Sequence, residues 1–282
     1  MKTEGLARLA ESGPQPSSGE CRDSALRFQW MGAIVRFENT RYNRQEVMPQ
    51  LGPAGQRRLS DSSVVSVGAG GVKSSLLYHL AAVGIGRLHV VDFDKVELSN
   101  LNRQILYRTE DIGRFKAEAA QDELRRLNPE ITVTSSVARV SEANVGDLLG
   151  GYDVILEGGD GPEQRMMVNK YAVQSGTPMV HVSAQYAHGY VFTVSDSTDP
   201  CLECAFPDLP ESRRGPVPVW GLATGMAGMM GANEVVKLLL GKGRLARGVL
   251  LSFSNFSNDY FSIPIAKDPK CPTCGHPPMI RD

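Results

Sequence analysis

Apolar residues along this chain come in two rhythms. Short unbroken runs rich in β-branched residues stand at 64–67 (VVSV), 88–91, 131–137, 152–156 (YDVIL) and 178–182. Runs of that kind predict strands buried on both faces, as in a parallel sheet. Segments with helical spacing of apolar positions fall between them, at 72–83, 115–127, 145–149 and 166–175, the last behind Pro162 at a helix start. Strand and helix therefore alternate. The expected fold class is α/β, a Rossmann-like, doubly wound, mainly parallel sheet. Residues 189–194, 249–253 and 260–263 predict strands that extend the sheet in antiparallel fashion at its C-terminal end. An apolar helix at 225–240 carries small residues at Gly225, Ala227, Gly228, Gly231 and Ala232, suited to close packing in the core or at a subunit interface.

The N-terminus departs from this rhythm. Residues 1–22 hold Ser, Gly, Pro, Glu and Arg with little to bury, which predicts a mobile tail carrying Cys21 as a free surface thiol. Residues 25–37 (ALRFQWMGAIVRF) are more apolar and are expected to dock, as a packed segment or as a clamp over a substrate. The expected division is 1–36 as tail and extension, and 37–282 as the main domain.

Gly68, Gly70 and Gly71 stand directly between the first strand and its helix. Glycines let the backbone approach phosphate oxygens, and the free N–H groups and dipole of a helix N-terminus attract their charge. Asp92 closes the second strand at close to the ~20-residue spacing at which an acid reaches a ribose hydroxyl. The stretch reads as a nucleotide site, although the same glycines would serve a tight turn that binds nothing. Lys73 occupies the third glycine position of G-x-G-x-x-G, which counts against a dinucleotide cofactor, and Val72 before Lys73-Ser74 breaks the P-loop pattern. Residues 94–108 form a polar connection with Asn100, Arg103 and Gln104. Lys116 falls in the first turn of a helix, where the dipole disfavours a cation, so it is either an ordinary exposed lysine or one with an anion nearby. Arg41 and Arg44, taken alone, read as a solvated face. Asp160, in Glu157-Gly158-Gly159-Asp160, sits just past a strand's carboxyl end, where open α/β sheets bind ligands.

Two pairs, Cys201-Leu202-Glu203-Cys204 and Cys271-Pro272-Thr273-Cys274, flank the last third. Four thiolates with that spacing have the bite of a closed, structural zinc site; two separate redox pairs are the alternative. Residues 205–219 between them read as a loop containing Arg213 and Arg214. A net charge of −1 gives no global electrostatic case for nucleic acid or an anionic membrane. No apolar run approaches the ~18 residues of a membrane helix, and the expected setting is cytoplasmic.

In order, the pieces RYNRQ, GAGG, VDFD, SNLNRQ, IGRFK, a strand followed by GGD, CLEC and CPTC resemble the ubiquitin-activating-enzyme-like adenylyltransferases of the ThiF/MoeB/HesA family, MccB-type members included. The likeness spans about residues 41–276. It implies ATP-dependent adenylation of a protein or peptide carboxylate with release of pyrophosphate, and makes 37–282 an adenylation domain. Carried over position by position, Gly68, Gly70 and Gly71 would line the nucleotide, with Asp92 on the ribose and Asp94 beside it. Asn100, Arg103, Gln104 and Lys116 would surround the phosphates, Asp160 would hold Mg²⁺, and Arg44 would reach the phosphates of a second subunit in a homodimer. Cys201, Cys204, Cys271 and Cys274 would hold Zn²⁺. Arg44, Arg103, Lys116 and Asp160 would form the catalytic set, whose presence argues against a non-catalytic scaffold.

Departures from the family pattern bear on the substrate. Its thioester-forming branches carry a cysteine after the first zinc pair, where this chain has Arg213, Arg214 and Pro216. The cysteine and asparagine around the magnesium aspartate are Gly158 and Gly161 here. An adenylating enzyme for the C-terminal glycine of a small ubiquitin-like sulfur carrier, working without an enzyme thioester, is the leading expectation, since that role is commoner in the family. An MccB-type or pantocin-type enzyme acting on a ribosomal precursor peptide is the alternative, favoured by the missing cysteine and the N-terminal extension.

Overall fold

The structure, a computed structural model, describes residues 41–159, 161–207 and 217–275. The expected tail and extension at 1–36 lie outside them, as do Cys21, Asp160 and the 208–216 stretch with its arginines. The chain opens with α1 (Asn43–Glu46) and α2 (Gly52–Ser60), then alternates through β1 (Ser63–Val67), α3 (Gly71–Val83), β2 (Arg87–Val91), α4 (Lys116–Leu127), β3 (Thr132–Ser136), α5 (Val145–Leu149), β4 (Val154–Glu157), α6 (Pro162–Ser175) and β5 (Met179–Gln185). It closes with β6 (His188–Val194), α7 (Leu202–Ala205), α8 (Gly221–Leu240), β7 (Val249–Ser254) and β8 (Asp259–Pro264).

The eight strands form one sheet in the order β3-β2-β1-β4-β5-β6-β7-β8. β1 to β5 pair in parallel, and β6 to β8 add antiparallel edges. The expected fold class is the observed one. Alternation along each strand divides the core in two, because successive side chains point to opposite faces. Val64, Leu88, Val90, Leu156 and Val182 face α2, α3, α4 and α8. Val65, Val67, Ile155 and Met179 face α5, α6 and α7.

Two features of the fold differ from the pattern read along the chain. β4 runs to Glu157, a fully buried acid, because its charge is neutralised inside the fold. α8 begins at Gly221, four residues before the expected start. Among its small residues, Gly228 packs in the core, where a Cβ would come within 2.5 Å of the Val72 carbonyl oxygen of α3. Among the described residues, no helix is long and apolar enough to cross a membrane.

Candidate active site and metal centre

Connections run from β1 towards β2 and β3 on one side, and to β4 and β5 on the other. The carboxyl ends of β1 and β4 therefore flank the point where strand order reverses, the place where open α/β sheets bind ligands. Gly68 leaves β1 at φ +90°, a conformation that suits glycine, and Gly70 caps α3. The Asp92 carboxylate braces this turn: Oδ2 accepts from the Ala69 N–H at 2.8 Å and Oδ1 from the Asp94 N–H at 2.8 Å. Burial pushes the Asp92 carboxyl up, against the pull of those two N–H groups. The Tyr107 hydroxyl, which no motif pointed to, donates to the Ala69 carbonyl at 2.8 Å from the other side.

Around the α3 N-terminus lie the predicted polar residues of the connection. The Arg103 side chain packs over Gly71, its Cγ 3.2 Å from where a Cβ would sit, and its Nη1 donates to Ser99 O and Asn102 Oδ1. Gln104 is buried beside Gly70, and its Oε1 has no hydrogen-bond partner. Asn100 is tied up locally, accepting from the Glu97 N–H at 3.1 Å. Lys116 is buried rather than exposed, and the anion beside it belongs to this chain, with Nζ 3.1 Å from Asp94 Oδ2. Gly68, Gly70, Gly71, Asp92, Asp94, Arg103, Gln104 and Lys116 thus gather at one edge. A bare N-terminus of a 13-residue helix, an orphaned buried amide oxygen and a half-exposed guanidinium fit a nucleotide with its phosphates.

Arg44 does not join them. It is exposed on α1, whose neighbour Gln45 donates to the Val83 carbonyl at the far end of α3. α3 is 13 residues long, about 20 Å at ~1.5 Å per residue.

The turn after β4 is built differently. Glu157 Oε1 accepts from the Gly159 N–H at 2.9 Å, and Oε2 pairs with His181 Nδ1. His181 Nε2 meets the Tyr190 hydroxyl at 3.1 Å. With the imidazole proton on Nδ1, the tyrosine donates to Nε2. Lys73, in the place of the third glycine, is buried and donates its Nζ to the Glu157 carbonyl. Arg165 Nε donates to the Gly159 carbonyl at 2.7 Å. Gly158 sits at φ +145°, and a Cβ there would lie 2.2 Å from the Val182 carbonyl oxygen. Burial pushes the Glu157 carboxyl up, but His181, Lys73 and Arg165 more than offset it and hold it at about 2. Burial pushes the His181 imidazole down, against the pull of Glu157. In the sequence this network shows only as Lys73 in a glycine's place, an acid at a strand's end and a histidine inside an apolar run.

The four predicted cysteines converge. Their sulfur atoms lie within 4.8 Å of one another. Cys201 and Cys271 are 3.6 Å apart and Cys204 and Cys274 are 3.4 Å apart, so all four are thiols rather than disulfides. A tetrahedral ion with Zn–S bonds of ~2.3 Å spaces its sulfurs by about 3.8 Å, so the set fits zinc. Burial pushes the Cys201 thiol up to about 11, with Asn169 pulling the other way. The Asp268 N–H points at Cys204 Sγ, 3.5 Å away. Glu203 reaches from the first pair to the Thr273 hydroxyl in the second.

The chain belongs to the ThiF family, whose model matches residues 42–273. With that membership goes the enzyme class, an ATP-dependent adenylyltransferase. It is 38% identical over 259 residues to the sulfur carrier protein adenylyltransferase of Thermus thermophilus, covering 88% of this chain and 95% of the relative. It is 39% identical over 241 residues to the SAMP-activating enzyme E1 of Haloferax volcanii, covering 83% and 88%. Among solved structures, E. coli MccB crystallised with succinimide superposes with a TM-score of 0.76 at 23% identity, over 85% of this chain and 75% of that one. That likeness concerns the fold.

Proposed function

We propose that this enzyme adenylates the C-terminal carboxylate of a small ubiquitin-like sulfur-carrier protein. The observation that carries this is the pair of relatives matched over almost their whole length, one named for a sulfur carrier and the other for the SAMP proteins it activates. The site is consistent with that chemistry. ATP would lie across the β1 turn, with its ribose against Asp92 and its phosphates against the α3 N-terminus, Asn100, Arg103, Gln104 and Lys116. A carboxylate attacking the α-phosphate approaches a polyanion, so cations must offset repulsion and the charge that develops in the transition state. No general base is needed, because the attacking carboxylate is already ionised near pH 7. Positioning and electrostatics are then the main catalytic effects. Asp160 would hold Mg²⁺, which when bound neutralises the departing pyrophosphate.

Arg44 acts from a second copy in a homodimer; supporting this, it lies at the far end of α3 from its own site. The four cysteines hold a structural Zn²⁺, and their reduced state fits a cytoplasmic setting. Residues 205–219 contain no cysteine, so the acyl-adenylate passes to an outside nucleophile without an enzyme thioester.

The test offers the enzyme, ATP and Mg²⁺ a carrier ending in Gly-Gly or candidate precursor peptides, then traps activated carboxyls with hydroxylamine. A hydroxamate on the carrier's terminal glycine, with no thiol-sensitive enzyme–carrier conjugate, is the expected result. A hydroxamate on a peptide alone replaces the carrier with the MccB-type reading, and a thiol-sensitive conjugate overturns the thioester-free route.

A further inference from the structure

Asn169 lies at the start of the third turn of α6 and is fully buried. Its Oδ1 accepts the Leu202 N–H at 2.9 Å. That bond fixes which end of the carboxamide is oxygen, since a flipped amide would set donor against donor. It also lays the amide plane against the residue next to Cys201. The other end, Nδ2, is buried and makes no well-formed hydrogen bond, but it lies close enough to the Cys201 sulfur to pull on that thiol. Leaving a buried donor unspent is costly, so such a group calls for an acceptor. A neutral thiol is a poor acceptor, whereas a thiolate is a good one, and metal binding is what converts the first into the second.

We propose that Asn169 is an outer-sphere partner of the metal centre, donating through Nδ2 to the Cys201 thiolate once a zinc-class ion is bound. The inference rests on the reading of the four cysteines as a zinc site. Its consequence is a tie between metal and scaffold. Arg165 stands four residues before Asn169, on the same face of α6, and holds the Gly159 carbonyl. One turn of α6 therefore links the metal centre to the turn after β4. The same carboxamide satisfies a backbone N–H with one end and a ligand sulfur with the other, the arrangement by which outer-shell groups orient and tune metal ligands.

The test loads the full chain with zinc, or with cobalt as an optical probe, and titrates it against a chromophoric chelator. Asn169→Leu removes both bonds without adding charge; Asn169→Asp keeps the acceptor for Leu202 and removes the donor. A wild-type chain that takes up no stoichiometric zinc removes the zinc reading itself. Given one ion per chain, both variants should bind zinc about 10–100-fold more weakly. The sulfur-to-cobalt charge-transfer band of Asn169→Leu should move to longer wavelength, because an unbonded thiolate gives up its electrons more easily. Loss confined to Asn169→Leu with an unmoved band would mean that only the Leu202 bond matters, and unchanged affinity in both variants would equally overturn the proposal.

Discussion

Two turns face each other across the reversal of strand order, and they are finished in opposite ways. The turn after β1 is braced by an acid from another strand, Asp92, and leaves Gln104 Oε1 buried without a partner. The turn after β4 is braced by its own strand's acid, Glu157, in a chain of bonds through His181, Tyr190, Lys73 and Arg165. One turn leaves hydrogen-bonding capacity unspent. The other spends it on its own backbone, immediately ahead of Asp160. The difference suits the proposed roles, a nucleotide at the first turn and a stiff backbone at the second.

That contrast breaks most visibly at Asp160. Asp160→Asn should cut adenylation by at least about 10³-fold, the order expected on losing a charge-stabilising group, with the melting temperature unchanged; near-normal turnover at saturating Mg²⁺ would remove the metal assignment. Glu157→Gln, three residues earlier, should act chiefly on stability. Replacing the carboxylate leaves buried donors with a weaker acceptor, a loss of roughly 1–3 kcal/mol, measurable by denaturant titration.

The same network makes stability depend on pH. Glu157 is held at about 2 in the fold against its ordinary 4.5, so its contribution is complete above pH 4.5 and is lost as pH falls towards 2. The buried His181 is pushed below its ordinary 6.5, so the fold also weakens as pH falls below that value. His181→Asn, whose amide can still donate to Glu157, should flatten the stability profile near pH 6. An unchanged profile would assign the acid sensitivity elsewhere.

The smallest effect on stability, and the sharpest test of the β1 turn, is Gln104→Leu. Removing an amide whose buried oxygen is unsatisfied should leave stability unchanged or raise it by about 1 kcal/mol, while the KM for ATP rises. A fall in stability of the size expected at Glu157 would show that Gln104 supports the fold and is not held in reserve.

The sheet was legible because VVSV and its companions are short, apolar and β-branched, and the two Cys-x-x-Cys pairs carry their chemistry in their spacing. The gaps have physical causes. Glu157 reads as the start of a loop because nothing local shows that His181 and Lys73 will meet it. β5 reaches Gln185 through Ser183, polar positions that only pairing with β6 makes strand. The start of α8 at Gly221 has Trp220 where a capping serine or aspartate would mark it. Tyr107 and Asn169 gain meaning only from the backbone groups that folding brings to them. The predicted site residues at the β1 edge were found together, whereas Arg44 stands apart.

If the β1 turn presents ATP to a carboxylate, with pyrophosphate as leaving group, the reaction must run backwards as well. The most direct test is therefore exchange of radiolabelled pyrophosphate into ATP, with and without a Gly-Gly-tailed carrier protein. Label should enter ATP only when the carrier is present, and not when its terminal carboxylate is amidated. Release of ADP and phosphate, or exchange indifferent to that carboxylate, would contradict adenylation at this turn.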